Sequence, residues 1–211
     1  MSFDRLAQHY HWMEFLAAGE KLQRCRTAFL DRVTEAQRVL IAGEGNGRFL
    51  AAFRCSLPNA RITVVDSSRR MLEAARNRVI AQTLELEDIE FIHADLLKWA
   101  PRSEAYDLIV THFFLDCFPA GELKQIIARL SSCATRDAQW LLADFQIPDR
   151  GWRRSRAKAI HSLMYAFFRV ATRLPARRLT PPRVFLENHA FALREKRTFE
   201  WGLLHSDLWV R

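Results

Sequence analysis

From Val39 onward, short runs of aliphatic and β-branched residues alternate with stretches in which apolar residues recur at helical spacing. This is the pattern of a parallel sheet covered by helices. The runs predict strands at Arg38–Ala42, Arg61–Asp66, Ile89–Ala94, Asp107–Thr111 and Gln139–Asp144. Between them, Arg48–Leu57, Arg69–Gln82 and Ala120–Ala134 read as helices, with Met71, Leu72, Ala75 and Val79 forming the apolar stripe of the second. Further on, Pro182–Phe191 reads as a helix, and Ala192–Trp201 and Leu203–Val210 read as strands joined at Gly202. So short a join implies an antiparallel hairpin closing one edge. The expected fold is a doubly wound α/β sheet: seven strands, mostly parallel, helices on both faces and an antiparallel hairpin at the C-terminal end. Ahead of the first strand, Phe3–Leu16 and Leu22–Val33 predict two helices outside the sheet.

One further stretch, Trp152–Leu174, is amphipathic. Ile160, Leu163, Met164, Phe167, Ala171 and Leu174 keep helical spacing, while Lys158, His161, Arg169 and Arg173 lie on other faces. No segment repeats or is of low complexity, so the 211 residues, 49% of them hydrophobic, are read as one domain. Within it, 1–37 would form helices over the site, 38–150 the ligand-binding core, 151–180 a basic covering insertion and 181–211 the last helix and hairpin. The start, MSFDRLAQHYHWMEF, is too polar for a signal peptide, and the apolar runs stop short of the roughly 20 residues a membrane span requires. Cys25, Cys55, Cys117 and Cys133 are widely spaced without a C-x-x-C pair, which argues against a zinc site or a disulfide framework. A cytoplasmic setting and no bound metal are the expectations.

The formal charge of +8 raises the question of an anionic partner, and much of the excess lies between Arg150 and Arg183. Three readings of that stretch stand side by side: a cover over an acceptor pocket, a peripheral contact with an anionic membrane, and a nucleic-acid contact.

The chemistry sits in a loop. VLIA runs into Gly43-Glu44-Gly45-Asn46-Gly47-Arg48 and then a helix, the context of a nucleotide-binding turn. A dinucleotide fingerprint wants glycine or alanine where Arg48 stands, to let the helix pack under a pyrophosphate. Gly-x-Gly-x-Gly therefore suits a ligand without one. Asp66, at the end of the second strand, lies close to the ~20-residue offset at which an acid reaches ribose hydroxyls. Loop and acid together describe an adenosine-containing ligand.

These residues resemble the class I S-adenosylmethionine-dependent methyltransferases, a Rossmann-like family, over nearly the whole chain. VLIAGEGNG is similar to the family's first motif, VVDSSRRMLEAAR to the ribose-binding segment, FIHADLLKW to the third strand and YDLIVTHFFLDCF to the fourth-strand motif. The likeness is nearest to the ubiquinone/menaquinone C-methyltransferase type, through FDRLAQHYHWME and LLADFQIP. The resemblance implies S-adenosylmethionine as cofactor, lined by Gly43, Glu44, Gly45, Asn46, Gly47, Asp66, Ser67, Met71, Asp95, Leu96 and Thr111, with Asp95 toward the adenine. It implies that Tyr10 folds over the methyl end and that Phe113, Phe114 and Phe167 meet a small, apolar or aromatic acceptor. His112 and Asp116, at the carboxyl end of the fourth strand, are the candidate acid–base groups. One departure is plain: Ile41 stands where the family usually carries the acid that helps hold the methionine ammonium, and Glu44 is the candidate substitute. A second is ATRDAQ in place of a Pro-Gly-Gly turn before the fifth strand. The alternatives are an RNA methyltransferase, against which THFF stands in place of an Asn-Pro-Pro-Tyr type motif, and a non-catalytic cofactor-binding protein. A dehydrogenase is disfavoured by Arg48.

Overall fold

A computed structural model describes residues 19–99, 101, 103–172 and 179–211, and of 165–172 the backbone alone. The strands are β1 (Arg38–Ala42), β2 (Arg61–Asp66), β3 (Ile89–His93), β4 (Tyr106–His112), β5 (Ala134–Phe145), β6 (Ala192–Phe199) and β7 (Leu204–Val210). The helices are α1 (Gly19–Arg26), α2 (Arg48–Ser56), α3 (Arg69–Ala81), α4 (Ala120–Cys133), α5 (Gly151–Thr172) and α6 (Arg183–Glu187). All seven strands join one sheet in the order β3-β2-β1-β4-β5-β7-β6. The first five run parallel, while β7 is antiparallel to both β5 and β6. Because β1 lies between β2 and β4, winding reverses there, and a crevice opens at the carboxyl ends of β1 and β4.

Alternation along the buried strands divides the core. Val39, Ile41, Val64 and Val110 face Phe49 and Phe53 of α2 and Ala75 and Val79 of α3. Leu40, Ala42, Ile109, Trp140 and Leu142 face the other way, onto Leu123, Ile126, Ile127 and Leu130 of α4. That i, i+3, i+4, i+7 stripe fixes the face α4 presents, and each such side chain contributes about 1.5–3 kcal/mol when fully buried. β6, at the edge, alternates exposed and half-buried positions and carries Arg194, Glu195, Lys196 and Arg197 in a row. Charges there discourage pairing with another chain.

Several boundaries differ from the sequence reading. The helix expected at Leu22–Val33 stops at Arg26, followed by a 3₁₀ turn at Leu30–Arg32. Arg197 donates to the carbonyl of Ala28, the group an α-helix would reserve for the amide of Arg32, which bonds Phe29 instead. β5 begins at Ala134, five positions before the predicted Gln139, because the register jumps from Tyr106–Ala134 to Leu108–Gln139 across the polar TRD segment. The helix expected at Pro182–Phe191 is the short α6, and the hairpin join is a 3₁₀ turn at Glu200–Gly202 rather than Gly202 alone. Helix α5 covers most of the predicted Trp152–Leu174 stretch. The predicted helix Phe3–Leu16 lies outside the described residues.

Candidate active site

Gly43, Gly45 and Gly47 line the crevice with φ of 70°, 69° and 82°, for different reasons. A side chain on Gly43 would overlap the Phe114 ring, and one on Gly47 would come within 2.5 Å of the Ala75 Cα. Those two let protein pack closely on protein. At Gly45 a Cβ would meet nothing within 4 Å, so its bareness serves space outside the chain's own packing. The loop is held from both ends: the Gly43 amide donates to the carbonyl of Val65 at 2.9 Å, and Arg78 donates to the carbonyl of Asn46 at 2.8 Å.

Asp66 borders the open position. Its Oδ2 accepts from the Gly45 amide at 3.4 Å and its Oδ1 from the Ser68 amide at 2.8 Å. Ser68 in turn caps α3, its hydroxyl accepting from the Met71 amide. Burial pushes the Asp66 carboxyl up to about 6, with the Ser68 and Gly45 amides pulling it back. At neutral pH it is therefore a carboxylate, an acceptor suited to a pair of hydroxyls. Met71 and Leu96 are buried at this end of the sheet, and Ser67 is exposed with its carbonyl bound by His93 at 3.0 Å.

Three further expected cofactor residues carry hydrogen bonds within the chain. Glu44, the candidate substitute for the acid missing at Ile41, accepts from the Leu50 amide through its Oε1 at 2.8 Å, serving a donor that a helix start leaves unpaired. Burial pushes that carboxyl up to about 7, and the helix amides pull it back. Thr111 is buried on the α4 face, where its hydroxyl accepts from Trp140 Nε1 at 2.8 Å. Asp95 is exposed and its Oδ1 accepts from the Leu97 amide at 3.0 Å, closing a turn.

On the other side of the crevice, β4 ends at His112 and the chain turns sharply at Phe113, whose φ is 53°. The Phe113 amide donates to the carbonyl of Ala143 at 2.7 Å, and its ring lies 5.3 Å from Phe145 and 5.1 Å from the Arg26 guanidinium. Helix α5 extends this aromatic wall: Ala157 and Ile160 pack with Ala143, Leu204 and Phe145, and the His161 ring meets Phe145 edge-on at 5.7 Å. Phe114 turns away, against Gly43 and the Phe118 ring. His112 is buried edge-on against Phe49 at 4.4 Å, and among the described residues neither ring nitrogen has a hydrogen-bond partner. Burial, then the charge of Arg26, push its pKa well below the ordinary histidine value. It is a neutral imidazole.

Asp116 belongs to a buried pair. Burial pushes its carboxyl up to about 6, while Asp144 at the end of β5 is driven well above the usual range, first by burial and then by repulsion from Asp116. Asp144 accepts from the Phe145 amide at 2.8 Å, and the Cys117 thiol donates to Asp116 at 3.5 Å. Ionising both members of the pair at once is disfavoured. Its second member was legible only as a lone acid closing the apolar run LLAD, and Arg26 carried no sequence signal at all. No cluster able to hold a metal ion occurs among the described residues. Tyr10 and the side chain of Phe167 lie outside them.

The sheet order 3-2-1-4-5-7-6 with its reversed last strand, the Gly-x-Gly-x-Gly loop at the switch point and the acid closing β2 agree with the fold of the class I S-adenosylmethionine-dependent methyltransferases that the sequence resembles, and residues 39–137 match the family model described as a methyltransferase domain. The chain is similar to trans-aconitate 2-methyltransferase of Variovorax paradoxus (strain S110), with 33% identity over 132 residues, which are 63% of this chain and 44% of that protein. A protein of the same name from Paracidovorax citrulli (strain AAC00-1) is 38% identical over 89 residues, 42% of this chain and 30% of the relative. The chain thus spans less than half the length of these curated relatives. Among solved structures, 1,6-didemethyltoxoflavin-N1-methyltransferase from Burkholderia thailandensis, bound to its namesake and S-adenosylhomocysteine, superposes with a TM-score of 0.67 at 17% identity, covering 99% of this chain and 87% of its own. These likenesses support the class and not the narrower ubiquinone/menaquinone type.

Proposed function

We propose that this chain transfers the methyl group of S-adenosylmethionine to a small molecule held against the Phe113–Phe145–His161 wall, with 38–150 as the cofactor-binding core and α5 as the cover. The observation that carries the reading is the bare position at Gly45 beside the Asp66 carboxylate: a Cβ there would enter space that no side chain uses. The residues present fit the cofactor: Asp66 would take the ribose hydroxyls, and the loop amides would serve the methionine portion. The group supplies an electrophilic sulfonium methyl, and the chain's task is alignment and exclusion of water. Phe113 and Phe145 orient an apolar or aromatic acceptor, and Ala157, Ile160 and His161 cover it.

Isothermal calorimetry tests the first half: S-adenosylmethionine and S-adenosylhomocysteine should bind and NADH should not, and the reverse order removes the proposal. A second acceptor class has a specific observation in its favour. Arg26 is buried with its guanidinium against Phe113, and the curated relatives are named for trans-aconitate, so a small carboxylate is the competing acceptor. Turnover of labelled cofactor with a phenol and quinone panel against a carboxylate panel separates the two.

A further inference from the structure

The first three turns of α5 present two differently occupied faces. Inward, Ala157 and His161 are buried and Ile160 packs on the β5–β7 end of the sheet. Outward, Trp152 is 61% and Leu163 75% exposed, and Trp201 and Ile147 on the adjoining connections are 56% and 36% exposed. The Trp152 and Trp201 rings lie 6.2 Å apart, with the Arg153 guanidinium 6.0 Å from the first and that of Arg156 4.9 Å from the second. From Arg150 through Thr172 there is no Asp or Glu, against Arg150, Arg153, Arg154, Arg156, Lys158 and Arg169. The flanking acids do not neutralise this: Glu200 is paired with Lys21 at 2.7 Å, and Asp149 stands alone before Arg150.

The backbone adds a second, independent sign. Glu200 and Trp201 both take positive φ, 51° and 55°, a region that costs an L residue free energy and is unusual for a bulky one. The hairpin turn thus holds an indole in solvent through a strained conformation, next to another exposed indole and two guanidinium groups. Strain that persists in a fold is a pointer to function.

We infer that this face, Trp152, Trp201, Leu163 and Ile147 set among the arginines of α5, docks on an anionic lipid surface. Indoles and aliphatic side chains enter the interface while the basic residues meet negative headgroups. RNA would account for the charge and for ring stacking, but not for exposed leucine and isoleucine on the same face. The inference does not depend on which acceptor the site takes.

The test uses the full chain and vesicles of phosphatidylcholine with and without phosphatidylglycerol. The protein should sediment with the anionic vesicles at about 0.1 M salt and be released near 1 M, where the screening length falls from about 10 Å to about 3 Å. Its tryptophan emission should shift to the blue on binding. Replacing two arginines in R153Q/R154Q should weaken partition about 25-fold, from about fivefold per basic residue. W152S/W201S should lose at least about tenfold, together with the emission shift, while calorimetric affinity for S-adenosylmethionine stays as in the wild type. A wild-type protein that stays in the supernatant with anionic vesicles overturns the inference without any variant. So does a W152S/W201S protein that partitions like the wild type. Binding to a single-stranded RNA oligonucleotide that displaces the vesicles and survives W152S/W201S would hand the face to nucleic acid instead.

Discussion

Gly45 and Gly47 stand two positions apart in one loop, share the left-handed backbone and answer to different masters. Gly47→Ala drives a methyl into the Ala75 backbone and should cost about 2–4 kcal/mol of stability, combining overpacking with positive-φ strain. Denaturant midpoints read that loss. Gly45→Ala carries the backbone cost alone, about 1–2 kcal/mol, and should leave a folded protein that binds S-adenosylmethionine at least tenfold more weakly, or roughly 1.4 kcal/mol. A Gly45→Ala protein with unchanged affinity would mean that the open position is not where the cofactor lies. Asp66 gives a pH signature at the same scale. Its carboxyl titrates at about 6 in the free protein, and only the ionised form accepts from both ribose hydroxyls. Affinity should be level above that value and fall as pH drops through it. Asp66→Ala should lower affinity at neutral pH by about 1.5–3 kcal/mol and flatten the profile, both read by calorimetry.

At the scale of elements, the proposed function assigns the glycine loop to the cofactor and the β4 end with α5 to the acceptor. Phe113 and Phe145 touch each other, Phe113 also meets Arg26 and Phe145 meets His161. Phe113→Ser and Phe145→Ser should therefore raise the acceptor KM by about tenfold or more, since each removes roughly 1.5–3 kcal/mol of apolar contact at full burial, while cofactor affinity changes little. Equal loss of both affinities would show that the wall belongs to the cofactor pocket. The elements were legible unevenly. β1, β2 and α3 have strict apolar periodicity, and their bounds agree with the reading to within a residue. The start of β5 was hidden because Thr135, Arg136 and Asp137 break the apolar run while the backbone still pairs around them.

For the molecule as a whole, burial gathers groups whose charged forms are disfavoured. Glu44, Asp66, Asp116 and Asp144 are all raised. An acid with a raised folded pKa stabilises the native state below its unfolded value near 4, and that contribution is lost as pH rises through the folded value. His112 and His161 are lowered, so they oppose this only below their ordinary value near 6.5, where the unfolded chain takes up protons. The cofactor-free protein should thus melt at a higher temperature near pH 6.5 than at about pH 8.5, and the difference should shrink in Glu44→Gln, whose carboxyl is raised to about 7. Scanning calorimetry at the two pH values measures it, and a melting temperature that climbs with pH would show that the acids are not buried as described.

The chain's own pattern determined the alternation of strand and helix, the hairpin at the end, the Gly-x-Gly-x-Gly loop and the acid nineteen positions after it, because periodicity and glycine conformation act over a few residues. Tertiary structure decided what each polar group does. Glu44 is claimed by the amide of Leu50, Thr111 by Trp140 and Asp95 by its own turn, while Asp144 joins Asp116, and Arg26 reaches Phe113 from a helix outside the sheet. A carboxylate or hydroxyl takes whichever donor packing brings within hydrogen-bond reach, and a partner dozens of residues away leaves no trace in local sequence.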